Sequence, residues 1–90
     1  MLNQVVIVGR LVENQQEDRI TLACPRNYKN EEGIYETDFI TCRVMKGISE
    51  NVKEYCKKGD IVGIKGRIQV SDTMEIIAEK VTFLSSKSGE

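Results

Sequence analysis

Seven side chains in this sequence have the chemistry to hold a chain of phosphates and aromatic bases: Tyr28, Phe39, Arg43, Met45, Lys46, Lys65 and Arg67. Four of them sit in residues 35–46, YETDFITCRVMK, which alternate. Ile40, Cys42 and Val44 fall on one face; Phe39, Thr41, Arg43 and Met45 fall on the other. Period-two alternation marks a strand with one face on a core. The second face mixes an aromatic, a cation and a thioether. Interleaved rings and cations suit a surface that stacks bases and neutralises phosphates. The competing reading is a face covered by another element or subunit. Tyr28, between Arg26 and Lys29 in a polar stretch, either stacks a base or folds back on the sheet. Arg43 either meets a phosphate or closes a cross-strand ion pair.

Bulk properties narrow the classes. Ninety residues make one small domain, expected over residues 1–85, with a frayed polar end over 86–90. Thirteen Lys and Arg against fourteen Asp and Glu, a net charge of -1, argue against coating duplex DNA by charge alone. The charges are segregated instead. Residues 41–68 carry Arg43, Lys46, Lys53, Lys57, Lys58, Lys65 and Arg67, while acids gather in 13–18 and 31–38. Cys24, Cys42 and Cys56 include no CxxC pair, and no His completes a metal site. They read as buried reduced thiols of a cytoplasmic protein. No metal, cofactor or catalytic residue is expected. There are no paired carboxylates in an apolar setting and no nucleophile beside a base. The glycines of GDIVGIKG lie within a strand pattern and open no helix. No apolar run is long enough to span a bilayer.

The elements that must position the seven residues follow in order. Residues 2–12 are β-branched and apolar on both faces, so both should be buried, one in the core and one against a neighbour. Gly9 marks a bend or bulge. Residues 13–17 form a polar turn. Residues 19–24 alternate again, and Pro25 ends that strand or brings it to an edge. Residues 26–33 read as a hairpin loop closed by Gly33. After the third strand, Ser49 is placed to cap a helix over residues 50–57. Its apolar stripe is Ile48, Val52, Tyr55 and Cys56, Lys57 and Lys58 suit its C-terminal dipole, and Gly59 terminates it. Residues 61–70 put Val62, Ile64 and Ile68 on one face and Lys65 and Arg67 on the other. Residues 71–73 turn tightly. Residues 74–84 form a last strand, apolar enough on both faces to be largely covered. Five curved strands with one helix between the third and fourth match an all-β, five-stranded oligonucleotide-binding (OB-fold) barrel, whose second and third strands carry the binding face.

The sequence resembles bacterial single-stranded DNA-binding protein. The resemblance rests on MLNQVVIVGRL at the start, TDFITCRV, then ENVKEYCKKGDIVGIKGRIQ, and AEKVTFLSS near the end. It covers nearly the whole chain. It implies a homotetramer, with a dimer as the alternative, and sequence-tolerant binding of single-stranded DNA in a nucleoid-associated, cytoplasmic setting. Phe39 stands where the family places a stacking aromatic, and Tyr28 near its loop aromatic. Met45 replaces an aromatic ring. The hairpin between strands four and five is short and lacks a further aromatic, which implies a narrower, weaker site. The chain shows no acidic tail, so tail-mediated replication partners are not expected. A second reading is a replication-restart accessory protein of the PriB type, a dimer on the same barrel that works mainly through protein contacts.

Overall fold

The computed structural model describes residues 1–12 and 18–85, Lys46 in its backbone only. The turn expected over 13–17 and the frayed end over 86–90 lie outside the described residues. The alternating apolar residues converge inside one closed barrel built from β1 (Val5–Leu11), β2 (Arg19–Lys29), β3 (Tyr35–Val44), β4 (Ile61–Val70) and β5 (Met74–Ser85). One helix, α1 (Lys46–Tyr55), lies between β3 and β4 in the chain. The strands close in the order β1-β2-β3-β5-β4. β3 and β5 run parallel, with Cys42 level with Ile76 and Val44 with Ala78. Ile7, Leu11, Ile20, Leu22, Cys42, Val44, Val62 and Ile64 fill the interior, and Val52 joins them from α1. Fully burying side chains such as Leu22 and Ile64 stabilises the barrel by about 1.5–3 kcal/mol each.

β1 is shared between two neighbours. It pairs with β4 from Val5 to Arg10 and with β2 only at Arg10 and Leu11. Its outer side does not find the cover its sequence asks for within one chain. Val6 and Val8 are exposed, and Val8 and Leu84 converge over Gly63, 3.8 and 3.5 Å from where its Cβ would stand. Phe83 and Leu84 are likewise about half exposed, contrary to the expectation of a largely covered last strand.

Further expectations need correcting, among them the hairpin loop over 26–33. Pro25 brings β2 to an edge but does not end it. β1 has already left, and β2 continues to Lys29 as a two-stranded ribbon with β3, through an irregularity between Pro25 and Lys29. The turn is Asn30–Ile34, held by backbone and Asn30 side-chain hydrogen bonds and by the positive φ of Gly33. The helix starts at Lys46, not after Ser49. Its N-cap, Met45, makes no side-chain hydrogen bond, and Ser49 is buried inside it. Tyr55 leaves the apolar stripe and is exposed. Ile68 is exposed too, because β1 pairs with β4 only as far as Gly66 and Ile68 lies beyond it on the β4–β5 hairpin.

The helix ends earlier than its sequence suggests. α1 stops at Tyr55 and its C-cap, Cys56, is already extended (φ -118°, ψ 143°), so Lys57 and Lys58 lie past its last turn and Gly59 does not terminate it. Gly59, with φ 93°, instead turns the chain back into the barrel. Its N–H donates to Leu11 O at 2.7 Å, Leu11 N–H donates to Asp60 O, and Lys57 N–H donates to the Asp60 carboxylate at 2.8 Å. All three cysteines are free thiols. Cys42 is fully buried, and burial, with Cys24 nearby, pushes its pKa up to about 11. A maleimide added to the folded protein at mildly alkaline pH should therefore label Cys42 last, and only as the barrel opens. Peptide mass spectrometry reads the order, and early labelling of Cys42 would contradict this packing.

Candidate nucleic-acid interface

The pairing of β1, β2 and β3 sets out two rows of side chains on the outside of the barrel. Arg10 stands level with Ala23, and Ala23 with Phe39. Phe39 is 67% exposed. Its cross-strand neighbour is an alanine, so no bulky side chain covers the ring on that side. The second row lies four residues along β3, about 13 Å away. There Arg19 is level with Arg43, Arg43 with Ile77, and Ile77 with Arg67. Thr21 and Thr41 lie between the rows, their hydroxyls 2.9 Å apart.

Arg43, Met45 and Arg67 come together around one cleft of about 400 Å³, with Asp18, Val44, Gln69 and Ile77. Met45 is 65% exposed. The arginines are not free. Arg43 donates to the Glu75 carboxylate at 3.2 Å, and Arg19 approaches the same carboxylate at 3.7 Å and Asp18 at 2.9 Å. Arg67 donates to Glu79 at 2.9 Å and to Gln69 at 3.1 Å. The ion-pair reading of Arg43 thus describes the unliganded chain.

The other sequence-predicted residues stand apart from this cleft. Lys65 lies beside Val6 and opposite Lys80, on the outer face of β1, β4 and β5. Neither lysine has an acidic partner among the described residues. The Lys46 side chain is outside the described residues. Tyr28 is exposed on the β2–β3 ribbon, with the Arg26 guanidinium 6.0 Å from its ring centroid. Arg26 holds Asp38 through two hydrogen bonds, of 2.9 and 3.1 Å. These bonds keep the Asp38 carboxyl below the usual carboxylate range. Asp38 alternates to the opposite side of β3 from Phe39, so Tyr28 goes with that side.

Two side chains not singled out above join the Phe39 face. Tyr35 shares its parity on β3, is exposed, and has Lys29 Nζ 5.7 Å from its ring. The alternation that marks Phe39 also marks Tyr35. Arg10 is oriented by a 2.9 Å hydrogen bond to Gly59 O and has no acidic partner among the described residues. Only the pairing of β1 with β2 reveals its place, since no local pattern links Arg10 to Phe39.

A closed five-stranded barrel with one helix after its third strand, and an aromatic exposed on that strand, defines an OB-fold with the surface of an oligonucleotide binder. The profile of the Single-strand binding protein family matches residues 2–84, and the chain belongs to that family, one of non-enzymatic DNA-binding proteins. Single-stranded DNA-binding protein 3 of Listeria innocua is 38% identical over 97% of this chain and 66% of its own length. Single-stranded DNA-binding protein B of Bacillus subtilis is 33% identical over all of this chain and 96% of its own length. Among solved structures, a mitochondrial single-stranded DNA binding protein of S. cerevisiae superposes with a TM-score of 0.71 at 18% identity, covering 96% of this chain and 98% of that one. A Plasmodium falciparum SSB complex with ssDNA superposes with a TM-score of 0.66 at 19% identity, covering 94% and 97%. Among the described residues, no helix is long and apolar enough to cross a membrane.

Proposed function

We propose that this chain binds single-stranded DNA with little base preference, across the outer face of β2 and β3, in DNA replication, recombination or repair. The observation that carries this reading is Phe39: a ring two-thirds exposed in the middle of a paired strand. Burying such a ring against bases recovers what its exposure to water costs. Phe39 stacks a base, Met45 extends the apolar contact, and Tyr28 and Tyr35 offer rings on the two sides of the ribbon. Arg43 and Arg67 hold phosphates near the cleft, with Arg10 on the Phe39 row, and Lys46, next to Met45 in sequence, is a further phosphate contact. Lys65 takes phosphates only if the strand wraps onto the β1–β4–β5 face. Every base has a stacking face, so selectivity among bases is small. The names of the relatives and the nucleic acid in the Plasmodium complex support the ligand class.

The working unit on this reading is a homotetramer of single barrels over residues 1–85, acting in the cytoplasm at the nucleoid. Exposed Val6, Val8 and Leu84 give a second copy an apolar surface to cover. The PriB-type alternative draws on a different surface. Ile68, Val70 and Met74 expose an apolar tip on the short β4–β5 hairpin, which suits a protein partner.

The chain has three tyrosines and no tryptophan, so tyrosine fluorescence reports on Tyr28 and Tyr35 over a background from Tyr55 on α1. Titration with an oligo(dT) length series, with light scattering, should show quenching, saturable binding and a mass of four chains. A two-chain mass without binding would favour the accessory-protein reading.

A further inference from the structure

Every arginine of the second row is held by a carboxylate. Arg19, Arg43 and Arg67 face Asp18, Glu75 and Glu79, with separations from 2.9 to 3.7 Å. Three guanidinium charges meet three carboxylate charges, so the cleft that gathers Arg43 and Arg67 is locally neutral until something displaces an acid. Glu75 is the hub: it reaches two arginines from β5 and is the least exposed of the three acids.

We propose that Glu75 and Glu79 set the affinity of this face for nucleic acid, by competing with phosphates for Arg43 and Arg67. The inference rests on the single-strand-binding reading above. Guanidinium binds carboxylate and phosphate with the same planar fork of donors, so the two anions compete for one geometry. Ion pairs this exposed are weak. A phosphate therefore displaces them, but its net gain is reduced by the pair it breaks. A carboxylate set free also gathers cations from solution while the DNA sheds its own, which makes binding less salt-dependent than the arginine count suggests. The acids thus act as a built-in brake: the strand is held, yet released readily.

The test is titration of the full chain with oligo(dT) at several salt concentrations, comparing wild type with Glu75→Gln, Glu79→Gln and Glu50→Gln. The last removes the same charge from the exposed surface of α1 and controls for net charge. Each cleft variant should bind about two- to five-fold tighter at low salt. The dependence of log affinity on log salt should steepen by up to about 0.7 per arginine freed. Glu50→Gln should stay near wild type, and adding Arg43→Gln should abolish the gain of Glu75→Gln. If neither cleft variant exceeds Glu50→Gln, the brake does not exist. If Glu75→Gln weakens binding with its melting temperature unchanged, Glu75 orients Arg43 instead of competing for it, which also overturns the proposal. Should Glu75→Gln unfold, the more exposed Glu79→Gln decides alone. A wild type that fails to bind oligo(dT) removes the single-strand-binding reading itself, a result distinct from a binding wild type with unresponsive variants.

Discussion

Replacing Phe39 with alanine should weaken single-stranded DNA binding by about 1–3 kcal/mol, roughly 5- to 150-fold, while leaving the melting temperature within a few degrees of wild type. The separation of the two effects follows from the ring's position. It sits on the outside of a strand whose inward residues, Ile40 and Cys42, make the core contacts, and its neighbour across the ladder is only Ala23. Removing it deletes a stacking surface and leaves the interior packing intact. Fluorescence titration and a thermal melt of the same samples read both quantities. A variant that kept wild-type affinity and salt dependence but changed its assembly state would assign Phe39 to a subunit contact.

Gly66→Ala should act in the opposite way, on stability. Gly66 faces a bulge in β5, where Glu79 is passed over between the partners Lys80 and Ala78, and a Cβ there would run into the Ile77 carbonyl oxygen and stand 2.9 Å from the Ile77 carbonyl carbon. These are backbone atoms of a buried strand, so no side chain can swing aside. Either the bulge is lost or β5 moves off β4, and the β4–β5 ladder is the barrel's longest pairing. A loss of about 3 kcal/mol or more is expected, a large share of the stability of a domain this size. Urea unfolding should show the midpoint drop. Gly47→Ala is the control, because its added Cβ meets nothing within 4 Å. Equal stability for the two variants would mean the bulge does not constrain the barrel.

What the sequence reveals and conceals divides along the range of the interactions. The alternation of β3 is legible because a period of two assigns faces without knowledge of the partner strand, and its apolar residues Cys42 and Val44 are buried as assigned. Gly59 is legible as a left-handed position, since a positive φ is a local requirement, but it turns the chain three residues beyond the C-cap of α1 instead of ending the helix. The start of α1 is not legible, because Met45 offers no capping side chain and Ser49 imitates a cap from inside the helix. Pro25 misleads in part. A proline interrupts a ladder only where its missing N–H is needed, and β2 has β3 on just one side there. Ile68 keeps the parity of Val62 and Ile64, yet it lies past Gly66, where the pairing with β1 ends, and so stays exposed against its pattern. The acidic partners of the arginine row are concealed. Arg43 and Glu75 are 32 residues apart, and only the parallel pairing of β3 with β5 brings them together. Residue types thus mark Arg43 as a cation on the outer face, but its resting partner is a property of the closed barrel.

The central claim is that the outer face of β2 and β3 takes a single strand by stacking bases and neutralising phosphates. The most direct measurement is a competition between oligo(dT) and a duplex of equal length for the full chain, at low and moderate salt. The account predicts that oligo(dT) binds, that added salt weakens it, and that the duplex competes poorly because its bases are already stacked and unavailable to Phe39. No binding of oligo(dT) at low salt, or equal competition by the duplex, would contradict it.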